Sequence, residues 1–305
     1  TPSWQPDGKG VVVTALKDAD RTYGNIVYID FNEKSQTLLT DASRKRSFPE
    51  IFKEWLDNNT FMYVSNEDGF RNIYSLNVST KKSTQLTTFK TDLGTSEIVT
   101  IEGKKYVFAT TSSPIETKIY LLDLPSGDIV MQQKSNVSLE VYDSDGDKMM
   151  MSARSNASMF RIDEMTVSTD NLTSKTVVDV PKELKEKIYN ATPERITYPT
   201  FDKDPMTGET RELHAYLYKP KNPLPAKDQI VMIQSFYGGG NNFSTRYQIL
   251  ADAGIYVLSP SPRGSSGFGK DFSALNDKDL GGNEIIDVFY AAKYISEKLN
   301  IPAKN

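Results

Sequence analysis

The sequence predicts a partial β-propeller of about four blades followed by an α/β unit. Two observations carry this reading. The first is a repeat across residues 3–179: strand, Asp-Gly-type turn, strand, loop, tyrosine-bearing strand, turn, strand. Tyr28, Tyr74 and Tyr120 recur about 46 residues apart, the period of a four-stranded propeller blade. The second is a change of pattern around residues 181–193, after which apolar strand-sized runs alternate with helical stripes. That alternation is how helices layered on a sheet read in sequence.

The first unit opens with the turn cassette Ser3-Trp4-Gln5-Pro6-Asp7-Gly8 and continues with strands at 11–15, 24–30 and 36–40. The second reads 54–58, 60–64, the turn Ser65-Asn66-Glu67-Asp68-Gly69, then 72–77 and 83–87. The third has strands at 98–101, 105–110, 117–123 and 128–132, and a weaker fourth at 139–142, 148–153, 159–165 and 176–179. Asp-Gly and Asn-Asn pairs reach the positive-φ conformations that close hairpins, and β-branched and aromatic residues alternate between them. A single sheet of this kind cannot bury both faces, so blades stack radially. Four blades are too few for the common closures of propellers that cap enzymes, so the C-terminal part of a larger propeller is expected. A β-sandwich with strands every 8–12 residues is the alternative.

Beyond the switch, 182–188 reads as a short amphipathic helix or linker, and 194–199 and 213–218 as paired strands joined by a polar loop at 202–210. The run 229–235 is almost continuously apolar, as in a strand covered on both faces. Phe243, Tyr247, Leu250 and Ala251 mark a helix that Gly254 ends, and 255–259 is a second buried strand. The segment 285–299 predicts a strong amphipathic helix with Ile286, Phe289, Tyr290, Ala292, Tyr294 and Ile295 on its apolar face. The expected division is residues 1–181 and 182–305.

Composition excludes several functions. With 36 Lys+Arg against 40 Asp+Glu and a net charge of −4, no field attracts nucleic acid or an anionic membrane. The absence of cysteine removes disulfides, thiol nucleophiles and Cys-based metal sites, while leaving the redox compartment open. One histidine excludes a His-rich metal site; neither a metal nor another cofactor is expected. No run approaches the roughly 18–20 apolar residues that span a bilayer. The start Thr1-Pro2-Ser3-Trp4 carries no signal-peptide pattern, so a leader is expected to be absent or already removed. Asn-x-Ser/Thr triplets at Asn58, Asn77, Asn136, Asn156, Asn171, Asn190 and Asn242 would accept glycans in a secreted eukaryotic protein. A secreted or periplasmic location is favoured slightly over a cytoplasmic one.

Three stretches carry a family resemblance. Phe236-Tyr237-Gly238-Gly239-Gly240, the segment from Ser259-Pro260-Ser261-Pro262-Arg263-Gly264 to Gly269, and Asp279-Leu280-Gly281-Gly282 with the residues to Asp287 resemble the prolyl oligopeptidase family. In the repeat region, Glu67-Asp68-Gly69-Phe70-Arg71-Asn72-Ile73-Tyr74 and Ser113-Pro114-Ile115-Glu116-Thr117-Lys118-Ile119-Tyr120 resemble its dipeptidyl-peptidase IV branch. The resemblance covers essentially the whole chain in order. It implies the N-terminal half of an α/β-hydrolase domain after the propeller, short peptides as substrates, homodimers in many members, and acyl transfer by a Ser-His-Asp triad. The serine of such enzymes sits on a Gly-x-Ser-x-Gly elbow. No such elbow occurs in the 305 residues, and Gly264-Ser265-Ser266-Gly267 has the wrong spacing. Family order puts the elbow shortly beyond Asn305 and the Asp and His later still. The parent protein is then a serine peptidase and this segment alone is inactive. His214 lies upstream of every expected catalytic element, and reads as a solvated or hydrogen-bonded strand histidine.

Tyr237 matches the tyrosine that such peptidases use as an oxyanion-hole donor before a Gly-rich turn; the alternative is a core tyrosine under the sheet. Related exopeptidases carry His-Gly-Gly there instead. Arg263, at a strand's C-terminal end where α/β ligand sites lie, is a candidate substrate-binding residue or a structural partner of Asp287 or Glu284. Glu67 and Asp68 read as a solvated turn ahead of an acidic pair that captures substrate N-termini. A non-catalytic propeller binding protein with a degenerate hydrolase domain, or a propeller-capped esterase, fits the same pattern.

Overall fold

A computed structural model describes residues 2–17, 20–41, 46–188, 190–205, 207–234, 237 and 239–302, with only the backbone at Lys17, Asp20 and Arg21. Four antiparallel sheets of four strands follow one another along the first half. The first holds β1 (Ser3–Trp4), β2 (Gly10–Lys17), β3 (Asp20–Asp30) and β4 (Ser35–Leu38), and the second β5 (Glu50–Trp55), β6 (Thr60–Ser65), β7 (Asn72–Asn77) and β8 (Ser83–Gln85). The third holds β9 (Leu93–Ile101), β10 (Lys104–Thr111), β11 (Thr117–Asp123) and β12 (Ile129–Ser135), and the fourth β13 (Ser138–Asp145), β14 (Lys148–Arg154), β15 (Arg161–Val167) and β16 (Leu172–Val178).

Alternation along the strands makes these sheets propeller blades. On β6, Phe61 and Tyr63 pack with Val12 and Ile26 of the first sheet. Their neighbours Met62 and Val64 pack with Ile98 and Val107 of the third. On β10, Val107 and Ala109 face back toward the second sheet, while Tyr106 and Phe108 meet Met149 and Met151 of the fourth. Successive side chains of a strand point to opposite faces, so both faces of each inner sheet are dry. A sandwich would leave one face of each sheet wet.

After β16 comes α1 (Lys182–Lys187), then a mixed sheet of β17 (Glu194–Lys203), β18 (Thr210–Tyr218), β19 (Val231–Ile233) and β20 (Tyr256–Ser261). Its order is β17-β18-β20-β19, with β19 and β20 parallel and α2 (Thr245–Asp252) crossing between them. The short α3 (Lys270–Ser273) and the long α4 (Asn283–Leu299) follow. This is a propeller followed by the opening part of an α/β-hydrolase fold. Among the described residues no helix is long and apolar enough to cross a membrane.

Two expectations are adjusted here. Of the described part of the run at 229–235, only Val231–Ile233 forms a strand, β19; Ser235 lies outside the described residues. The half-buried side chains of β19 pack to both sides, Val231 and Ile233 against the cluster of Leu258 and Ile295 and Met232 against that of Val257 and Ala251. Helix α4 turns Glu284, Asp287, Ala291 and Ile295 inward, and leaves Ile286 at 40% and Phe289 at 65% exposed. Of the expected apolar face, Ile295, Tyr290 and Tyr294 pack against the sheet core, and Glu284 and Asp287 join the inner side.

The two halves meet through polar clasps. Asn156, 4% exposed, donates its backbone N–H to Asn241 Oδ1 at 2.9 Å, and its Oδ1 accepts from Asn242 N at 3.0 Å and from the Tyr218 hydroxyl at 3.1 Å. Its carbonyl accepts from Gln248 Nε2 at 3.2 Å. A residue so enclosed offers no glycan acceptor. Asp92 accepts from Gly269 N at 3.0 Å and Gly69 O from Lys270 N at 2.7 Å. Asn156→Ala strands a buried hydroxyl and a backbone N–H, and should cost about 2 kcal/mol of stability. Urea unfolding monitored at both halves checks this; an unchanged midpoint would show the clasp contributes nothing.

Candidate active site

A cavity of about 490 Å³ opens between the propeller and the C-terminal ends of β19 and β20, with Arg46 contributed by the propeller and Tyr237, Asn242, Ser265 and Asn276 by the α/β unit. Strand ends of this kind are where open α/β sheets bind ligands, because loops diverge there.

The turn carrying Tyr237 is tightly specified. Tyr237 holds a left-handed backbone, φ 40°. Gly239, φ +78°, donates its N–H to Ser259 Oγ at 2.8 Å. A Cβ on Gly239 would fall 1.9 Å from Ser261 Oγ, so only glycine fits. The Tyr237 hydroxyl accepts from Asn276 Nδ2. Arg46 donates Nη2 to Asn276 Oδ1 at 3.4 Å and Nε to Asp277 Oδ1 at 3.0 Å. Asn276 rests against Gly264, where an added Cβ would lie 2.4 Å from its Cγ. Arg46 and Asn276 escaped the sequence reading: they stand 230 positions apart, in no motif.

Arg263 is committed elsewhere. Its guanidinium, 4% exposed as a residue, donates Nε to Asp287 Oδ2 and Nη2 to Asp287 Oδ1, both at 2.8 Å. It also donates Nη2 to Asp202 Oδ1 at 2.9 Å and Nη1 to Asp202 Oδ2 at 3.2 Å, and it lies 4.6 Å over the Phe201 ring. The structural alternative is thus what the chain adopts, with Asp287 as partner; Glu284 instead accepts from the N–H groups of Gly281 and Gly282. Arg263 does not line the cavity. Asp202, expected in a polar loop, belongs to β17. Burial raises its carboxyl, but Arg263 and Arg211 outweigh that and hold it below the usual value.

His214 sits on β18 opposite Ser261, stacked on Phe268 at 5.6 Å between centroids and 8° between planes. It borders a different cavity, with Phe268, Phe272 and Glu212. Its Nδ1 is buried and meets no hydrogen-bond partner. The solvated or hydrogen-bonded histidine expected from sequence is instead a stacked, half-buried ring. Glu67 turns toward Lys270 Nζ, 3.9 Å away, and Asp68 accepts from the Tyr74 hydroxyl and from Gln85 Nε2 at 2.8 Å. Asp68 stays exposed, as the solvated-turn reading expects, while Glu67 borders the contact between the halves.

The fold and cavity define a propeller joined to a hydrolase-type sheet, with a site at the seam. Residues 241–304 match the prolyl oligopeptidase family. A probable dipeptidyl-peptidase 5 of Emericella nidulans is 22% identical over 98% of this chain and 36% of its own length. The acylamino-acid-releasing enzyme of Rattus norvegicus is 28% identical over 36% of this chain and 16% of its own. Among solved structures, a puromycin-hydrolyzing peptidase of Mycobacterium tuberculosis superposes with TM-score 0.77 at 13% identity, over 98% of this chain and 47% of that one. A putative dipeptidyl aminopeptidase IV of Bacteroides ovatus gives 0.74 at 18% identity, over 99% and 46%. The chain is thus similar to the prolyl oligopeptidase family over residues 241–304. It spans about a third of the length of the first of these curated relatives and just under half of these solved chains.

Two predictions follow from the buried charges. Removing Asp287 leaves the Arg263 guanidinium with one carboxylate in a dry site, and Asp287→Ala should lose about 3–5 kcal/mol, read as a lowered urea midpoint; a loss under 1 kcal/mol would contradict the account. Burial, and then the charge of Arg195, hold the His214 imidazole below its ordinary value. The unfolded chain therefore takes up that proton more readily, and stability falls as pH drops below about 6.5. His214→Phe, which keeps the stack on Phe268, should lose less stability between pH 7 and pH 5 than the unaltered chain. Parallel losses in the two proteins would rule this out.

Proposed function

We propose that this chain is the propeller-and-oxyanion part of a serine peptidase that hydrolyses short peptides by acyl transfer. The observation that carries the reading is the placement of Tyr237: a phenol held at a strand's C-terminal end, on a glycine-rich turn, in the cavity between propeller and sheet. When a serine adds to a peptide carbonyl, the oxygen becomes an anion, and a neutral donor fixed toward it lowers the barrier. The protein's nucleophile, base and orienting carboxylate would lie outside these 305 residues. Within them there is no Gly-x-Ser-x-Gly, and the single histidine borders another cavity. Residues 1–181 form the propeller part, which narrows access to short substrates, and 182–305 form the catalytic part in this reading.

In the longer protein that carries this chain, Tyr237→Phe should lower kcat by about 100-fold with little change in KM, as expected for a donor used mainly in the transition state. A serine-directed fluorophosphonate should label that protein and leave the 305-residue chain unlabelled. Labelling of the short chain, or a fully active Tyr237→Phe protein, would overturn the reading.

A further inference from the structure

We infer that Asn276 is the positioning residue for Tyr237, and that Arg46, reaching over from the propeller, sets the direction in which the Asn276 amide points. This rests on Tyr237 being the oxyanion donor, and adds how that donor is held and why the propeller matters to it.

A phenol oxygen carries one proton and accepts through its lone pairs. The Tyr237 oxygen accepts from Asn276 Nδ2 through a lone pair, a bond that does not use the O–H, so it is compatible with the donor role an oxyanion requires. An amide can be turned about its last bond, exchanging donor for acceptor. Here the orientation is set from the far side: Arg46 Nη2 donates to Asn276 Oδ1, and a guanidinium has only donors, so the oxygen must face it and the NH2 must face the tyrosine. Arg46 is itself anchored on Asp277, the next residue along. Asn276 lies on the backbone of Gly264, where an added Cβ would stand 2.5 Å from Nδ2. Glycine at 264, an amide at 276 and an arginine at 46 are therefore parts of one arrangement. Two of them come from the α/β unit, and one comes from the propeller across the cavity.

The propeller then does more than restrict entry. Its seating on the sheet brings in Arg46, Arg46 orients the amide, and the amide holds the phenol oxygen in place at the cavity. No proton is transferred along this series; each step is a hydrogen bond that fixes the next group.

The test is a double-mutant cycle in the full-length protein, assayed on an aminoacyl-amide substrate. Asn276→Ala should lower kcat about tenfold, the worth of one such hydrogen bond, with KM little changed. The same substitution made in a Tyr237→Phe background should cause no further loss, since the group being positioned is gone. Arg46→Ala, a change at a partly exposed side chain, should give a smaller loss that also vanishes in that background. A substitution that merely loosens the fold lowers activity equally in both backgrounds, and that result would overturn the inference. So would a weakened Tyr237→Phe protein beside a fully active Asn276→Ala protein, with the oxyanion reading intact. A fully active Tyr237→Phe protein would remove the oxyanion reading and this inference with it.

Discussion

The site rests on one buried ion pair. Asp287 is 0% exposed and Arg263 4%, and isolated charges at such positions are strongly unfavourable. Here each is nearly saturated. Asp287 accepts from the Arg263 guanidinium, from the Arg263 backbone N–H at 2.9 Å and from the Thr200 hydroxyl at 2.6 Å, while Asp202 takes the outer edge of the guanidinium. The pair ties α4 to the ends of β17 and β20. Because the backbone N–H of Arg263 is among the donors, the pair also sets where the chain goes next, into Gly264 and the cavity wall. A hydrophobic substitute could supply comparable stability, but not a backbone anchor at that point.

From Gly264 the order of dependence runs outward. Gly264 stays bare so that Asn276 can lie on it, and Asn276 meets both the phenol and Arg46. The propeller contact is as specific as the core. Asp92, 8% exposed, accepts from Arg71 N in its own half and from Gly269 N in the other. Gly269 in turn lies so close to Phe70 that a Cβ would stand 2.6 Å from the ring. Close backbone approach and shared carboxylates fix the seating of the halves, which a cavity lined by both requires.

The blades were legible in the sequence because their physics is local. Strand alternation, Asp-Gly turns and the tyrosine spacing are each readable within one repeat, and blade stacking buries both faces of β6 and β10 as the pattern implies. The ion-pair alternative for Arg263 was legible too, because Asp287 stood among the acidic residues at the start of the last helix. On α4 the inward packing of Tyr290, Tyr294 and Ile295 was legible, but the two buried carboxylates were not, because side-chain type stood in for environment. Glu284 and Asp287 look like solvent residues until their N–H and guanidinium partners are in place. The Arg46–Asn276 contact was invisible since nothing local distinguishes either residue; it exists only once two sheets of different kinds have been brought together.

That separation bears on how such a site works. A transition-state donor helps in proportion to how little it must reorganise at the moment of reaction. Tyr237 has a left-handed backbone and is followed at 239 by a glycine that no side chain could replace, and its hydroxyl is held by an amide that a propeller arginine contacts in turn. None of these contacts involves a nucleophile or a base. On the proposed reading, the oxyanion donor is therefore set by the fold before the reacting serine is considered, and the remaining catalytic groups need only be brought to it. On that reading the propeller is a structural condition for the donor. A loosened seam between the halves would cost kcat before it costs binding.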